Sequence, residues 1–150
     1  MEKEIKWFDF QSLSNNQLYD LLKLRSDVFV VEQVCAYPEL DDYDQKAHHG
    51  LIYDDEKLVA YIRIYQKNER TWTFGRVVTD PSFRKQGIGQ ILIKEALKKI
   101  STLAKAHSGI IIGAQAHLER YYQQFGFETI SKPYDDFGIL HIDMKCEIQN

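Results

Sequence analysis

The chain has 150 residues, 44% hydrophobic and 27% charged, which suits one domain whose core needs neither disulfides nor metal. A formal net charge of -3 argues against general affinity for nucleic acid, and no apolar run approaches the length of a membrane span. The start, MEKEIKWFDF, has no signal-peptide core, so the sequence predicts a cytoplasmic protein with two free thiols, Cys35 and Cys146.

IKWFDF alternates like an edge strand. Ser14 and Gln17 form a capping-box signature, and Leu18, Leu21, Leu22, Arg25, Val28 and Phe29 recur at helical spacing, which predicts a helix over 15–31. EQVCAYPELDDYDQK follows as an ordered loop or short helical turn. The runs HGLIYD, LVAYIRIYQ and TWTFGRVVTD, separated by DDEK and KNER, read as an antiparallel meander. A second helix begins after Gly87, with Ile88, Ile91, Leu92, Ala96, Ile100 and Leu103 facing inward and His107 closing it. GIIIGAQ is a buried strand, LERYYQQFGF a brief helix stopped by Gly126, ETISKPY a strand, DDFG a turn and ILHIDMK the last strand. The stretch from Trp72 to Gly113 is strand, crossover helix, strand, which requires two parallel neighbours.

The chemistry concentrates at FRKQGIGQ, ahead of that second helix. A helix start presents unpaired N–H groups and about half a positive charge. Gly87 and Gly89 remove the side chains that would shield those amides, and Arg84 and Lys85 add full charges, so a phosphate or pyrophosphate is the expected guest. The dinucleotide fingerprint fails because its third glycine position is Leu92, and the P-loop fails because no Gly-Lys-Ser/Thr follows. Residues 39–44 lack the glycine and closing glutamate of a calcium loop, and His48 and His49 lack zinc-spaced partners.

Arg84-Lys85-Gln86-Gly87-Ile88-Gly89, after RVVTDPSF, together with Tyr121-Tyr122-Gln123-Gln124-Phe125-Gly126-Phe127, resembles the two signature elements of the GCN5-related N-acetyltransferase (GNAT) superfamily. VFVVEQVCAYPELDDYD, GRVV, GAQAHLERYYQQFGF and GILHIDM are similar to blocks of its ElaA family, with Leu140 where that family usually has proline. The resemblance covers nearly the whole chain. It implies an α/β fold: a mixed, mostly antiparallel sheet of about six to seven strands, flanking helices, and a parallel strand-helix-strand acetyl-CoA site.

The same resemblance implies direct acetyl transfer to the primary amine of a small molecule or peptide, with acetyl-CoA as cosubstrate and no metal. The diphosphate would lie on the amides of Gln86, Gly87, Ile88, Gly89 and Gln90 beside Arg84 and Lys85. The pantetheine arm would pair with the backbone of Val77, Val78 and Thr79, and an N–H near Val78 would face the developing oxyanion. Tyr122 holds the general-acid position that protonates the leaving thiolate. An alkyl amine of pKa about 10.4 is neutral roughly one time in a thousand near pH 7.4, so a base is needed. Candidates are Glu32, Asp41, Asp42, Asp44, His48, His49, His117 and His141, with Glu32 and His141 preferred because they lie in blocks resembling the family's substrate-side loops. Arg25, Arg63 and Arg76 read as structural ion-pair partners ahead of any functional role. An acidic loop facing the pocket would favour a cationic acceptor such as a polyamine, an amino sugar or a peptide amine. A non-catalytic acyl-CoA sensor of the same fold is the alternative, and the superfamily admits a homodimer.

Overall fold

The computed structural model describes residues 4–34 and 38–148, so Cys35 lies outside the described residues. It contains two compact units: one takes the chain through Tyr65 and adds Phe74–Ala96, the other combines Gln66–Thr73 with Leu97 onward.

In the first unit, strand β1 (Ile5–Asp9) leads through a short 3-10 turn into helix α1 (Asn15–Arg25). The expected capping box is present: the Gln17 N–H donates to Ser14 Oγ at 3.0 Å, and the Ser14 N–H donates to Gln17 Oε1 at 2.9 Å. The α-helix stops six residues short of its predicted end, and Ser26–Glu32 continues as a π-helix with the Gln33 N–H on the Val28 carbonyl at 2.9 Å. β-branched Val28, Val30 and Val31 crowd an α-turn. The wider turn buries Val28 and leaves Val31 outside, 71% exposed.

β2 (His48–Asp54) pairs antiparallel with β1 and with β3 (Lys57–Asn68), the latter through a tight turn in which Asp55 takes φ 54°. Gly50 lets Ile5 and Trp7 cross β2, since a Cβ there would stand 2.8–2.9 Å from their side chains. Leu21, Leu24, Val28, Leu51, Leu58, Tyr61 and Val78 form the core of this unit, flanked by Phe8, Leu18 and Phe29. β4 (Thr71–Thr79) and α2 (Ile88–Leu103) pass from one unit to the other, as does β3. Along α2, Ile88, Leu92, Ala96 and Ile100 are buried as expected. Leu103 is not: it is 39% exposed at the helix end. His107 lies past α2 in a left-handed turn (φ 63°) instead of closing it.

In the second unit, β5 (Gly109–Gln115) runs parallel to β4 at Thr71↔Gly109 and Trp72↔Ile110, as the crossover requires. It pairs antiparallel along its whole length with β8 (Ile139–Glu147). A 3-10 turn leads into the short helix α3 (Glu119–Gln123). The strand predicted for ETISKPY is broken into β6 (Glu128–Thr129) and β7 (Tyr134–Asp136), both antiparallel to β8. Between them Ser131 Oγ accepts the Asp143 N–H at 2.8 Å, and Pro133 has no N–H to give a ladder. The turn at DDFG is a two-residue loop, Phe137 and Gly138, with both φ values positive (52° and 88°), which matches hairpin twist.

Among the described residues the strand order is β1-β2-β3-β4-β5-β8-β6 with β7 also on β8, eight strands against the expected six or seven. Cys146 on β8 is a half-buried free thiol whose pKa burial pushes up, an inert setting. Among the described residues no helix is long and apolar enough to cross a membrane.

Candidate active site

After β4, the Asp80 carboxylate accepts the Ser82 N–H at 2.9 Å and caps the turn Pro81–Phe83. Arg84 is extended, Lys85 turns left-handed (φ 65°), Gly87 does so again (φ 75°), and α2 starts at Ile88. Left-handed residues interleaved with ordinary ones bend successive N–H groups toward one concave side, an anion-binding nest. The first helical bond runs from the Ile91 N–H to the Gly87 carbonyl at 3.3 Å. The amides of Ile88, Gly89 and Gln90 precede it and point out of the helix end. Ile88 is 2% exposed and anchors the segment, while Arg84, Lys85, Gln86 and Gln90 are exposed. A Cβ on Gly87 would meet nothing within 4 Å, so the space in front of these amides is open. A lysine held left-handed costs on the order of 1 kcal/mol, a strain typical of functional turns.

Glu32, at the end of the π-helix, does not stand alone. Arg84 Nη2 donates to its Oε1 at 2.7 Å, so a predicted base and a predicted phosphate cation are paired with each other.

Val77, Val78 and Thr79 follow a kink in β4, where Arg76 takes φ 52°. Val78 is buried in the core at 3% exposure, and the strand alternation places Val77 and Thr79 on the other face, half-buried. Arg76 Nε donates to Glu39 Oε2 at 2.9 Å, and Nη2 reaches the Glu39 carbonyl at 3.1 Å and Asp41 Oδ2 at 3.2 Å.

Those contacts belong to a larger charge network. Arg25 Nε binds Glu39 Oε2 at 2.5 Å and its Nη1 binds Asp44 Oδ1 at 2.8 Å. Arg63 binds Asp41 Oδ2 at 2.5 Å and Asp44 Oδ1 at 3.0 Å. Burial would raise the Asp41 carboxyl, but the Arg63 hydrogen bonds and charge overcome it and hold the group down at about 2. Asp44 is likewise lowered against its burial by Arg25 and Arg63. The acidic run is therefore not a solvated loop facing an acceptor: three of its carboxylates are matched by three guanidinium groups, and the argument from it to a cationic acceptor falls. Asp41 and Asp44 are too weak as bases, and His49 is excluded too. It is fully buried, with Nε2 on the Asp44 carbonyl at 2.9 Å and Nδ1 on the Tyr61 hydroxyl at 2.5 Å. Burial lowers its pKa, only partly offset by Asp44. His48 opens β2 and His117 lies in the turn Ala116–Leu118.

In the second unit, Tyr122 sits on α3, half-buried, with Tyr121 and Phe127 edge-on at 5.3 and 6.1 Å between centroids. Burial, assisted by Tyr121, raises its pKa to about 12, so the phenol keeps its proton and serves as a hydrogen-bond donor. His141 on β8 places Nδ1 2.8 Å from the Ile139 carbonyl. A carbonyl only accepts, so Nδ1 carries a proton, and in the neutral ring the lone pair is on Nε2. The Tyr134 ring stacks on His141 at 6.2 Å, and the Tyr134 hydroxyl donates to Asp143 Oδ1 at 2.6 Å. Sequence reasoning missed Tyr134 and Asp143; the Tyr134↔His141 pairing across the predicted DDFG turn was the available signal for the first.

The acetyltransferase (GNAT) domain family matches residues 13–148. Protein ElaA of Escherichia coli is 38% identical over 150 residues, 96% of this chain and 97% of that protein. Its crystal structure superposes with a TM-score of 0.89 at 36% identity, covering 97% of this chain and 100% of that one. An acyl-CoA N-acyltransferase from Pseudomonas aeruginosa gives a TM-score of 0.91 at 35% identity, covering 97% and 99%.

Proposed function

Since the chain belongs to the GNAT acetyltransferase family, within its ElaA-like group, and is an acyltransferase, we propose that it moves an acetyl group from acetyl-CoA to a primary amine of a small molecule or peptide. The observation that carries this reading is the turn at residues 84–90, where left-handed Lys85 and Gly87 gather amides, open space and two exposed cations at one helix start. These residues fit a diphosphate: Arg84 and Lys85 supply charge, and Gln86, Gly87, Ile88, Gly89 and Gln90 supply N–H donors. The backbone of Val77, Val78 and Thr79 receives the amide-rich arm.

The thioester supplies an activated acyl carbon that an uncharged amine attacks, so that a C–N bond forms and a C–S bond breaks. His141 Nε2 takes the amine proton, directly or through water; Glu32 is the second candidate, available once Arg84 releases it. Tyr122 donates its phenolic hydrogen bond to the departing sulfur. A phenol raised to about 12 gives up its proton only as charge localises on that sulfur, so Tyr122 acts first by electrostatic stabilisation. The match over residues 13–148 supports one catalytic domain.

A thermal-shift panel of CoA, acetyl-CoA and succinyl-CoA, followed by an amine screen with free-thiol detection, tests the reading. Ligand at about 100 times its Kd should stabilise the fold by about 2.7 kcal/mol. Absence of any shift, with no amine-dependent thiol release, overturns it.

A further inference from the structure

Arg76, which the sequence read as an ion-pair partner, meets four acceptors from one loop. It adopts φ 52° in the middle of β4, a region that side-chain-bearing residues avoid, although glycine sits one position earlier. Strain of this kind persists only where the surroundings over-determine it. Here they do: the guanidinium meets Glu39 Oε2, the carbonyls of Pro38 and Glu39, and Asp41 Oδ2, at 2.9, 3.3, 3.1 and 3.2 Å. The side chain is 13% exposed. Glu39 and Asp41 are themselves held by Arg25 and Arg63, which are 0% and 3% exposed. The loop at residues 38–44 is thus bolted to the buried arginines on one side and grips the kink of β4 on the other.

We propose that Arg76 is a positioning residue: through Glu39 and Asp41, it locks the β4 kink and so sets the backbone direction of Val77, Val78 and Thr79 before the cofactor arm arrives. The inference rests on the reading that those three residues receive the arm. A bond geometry fixed in advance spares the complex the cost of ordering it, so loss of the clamp shows in affinity for the arm more than in turnover of the bound complex.

Arg76→Gly removes the clamp without a backbone clash, because glycine adopts φ 52° without strain. Amide hydrogen exchange at residues 77–79 of the ligand-free variant should accelerate about ten-fold or more. KM for acetyl-CoA and Kd for CoA should rise by about ten-fold while kcat changes by less than about three-fold. Arg76→Lys, which returns one charge without the fork of donors, should recover part of both losses, and it carries the comparison alone if Arg76→Gly does not fold. Wild-type exchange at residues 77–79 in both variants overturns the clamp. Faster exchange with unchanged CoA affinity overturns its link to the cofactor. If CoA fails to bind even the unsubstituted protein, the functional reading falls, while the exchange comparison still decides whether Arg76 locks the strand.

Discussion

Glu32 can compete with the cofactor or take a proton from the acceptor, and Glu32→Gln separates the two roles. The carboxylate lies 2.7 Å from Arg84 Nη2, with the two side chains 40% and 42% exposed. An ion pair that open to water is worth about 0.2–1 kcal/mol. A diphosphate recruiting Arg84 must first break it. Removing the charge should therefore tighten CoA binding by about 1.4- to 5-fold, the range that energy converts to. Isothermal titration of CoA into both proteins at low and high salt measures this, and the gap should close as salt screens the pair. Equal or weaker binding by Glu32→Gln refutes the competition. If kcat also drops by about a hundred-fold or more, Glu32 is the base instead of His141.

Tyr122→Phe should leave CoA affinity unchanged and slow transfer by about ten-fold or more in a thiol-release assay. With the phenol at about 12, the wild-type rate should show no alkaline limb from Tyr122 below about pH 10. Gly87→Val should weaken CoA binding by about ten-fold, as its side chain enters the open space before the amides, at a folding cost of about 1–2 kcal/mol from the left-handed turn, read by urea denaturation. Acid should unfold the protein in two stages. Burial lowers the His49 pKa in the folded state, so below about pH 6.5 the unfolded chain binds the proton more readily and stability falls with falling pH. Asp41, depressed to about 2, contributes stability that is complete above about pH 4 and lost toward pH 2. An ideal shift of that size is worth up to about 2.4 kcal/mol, and partial exposure reduces it toward about 1. Asp41→Asn should flatten that acid limb in a pH series of urea melts; an unchanged limb would count against the network.

Local chemistry made much of this molecule readable. Ser14 and Gln17 announced α1, the DDEK and DDFG separators announced hairpins, and the crossover from Trp72 to Gly113 announced the parallel pair. The cradle was legible for the same reason: glycines, cations and a helix start lie within eight consecutive residues. What escaped depends on partners far along the chain. Arg25 meets Glu39 and Asp44, and Arg76 meets Glu39 and Asp41, separations of 14, 19, 37 and 35 residues that no periodicity encodes. The same applies to φ at Arg76, where contacts with residues 38–41 override intrinsic preference. The break in ETISKPY was in principle visible at Pro133, which cannot donate to a ladder.

β8 has a consequence for biosynthesis. It is the shared partner of β5, β6 and β7, and follows all three in the sequence. A nascent polypeptide therefore cannot complete that unit until residues 139–147 leave the ribosome, and meanwhile β5, with Ile110 and Ile112, has an unsatisfied edge. A premature stop that deletes Ile139–Glu147 would strip three strands of their ladder at once and leave a sticky intermediate for chaperones or proteases to intercept.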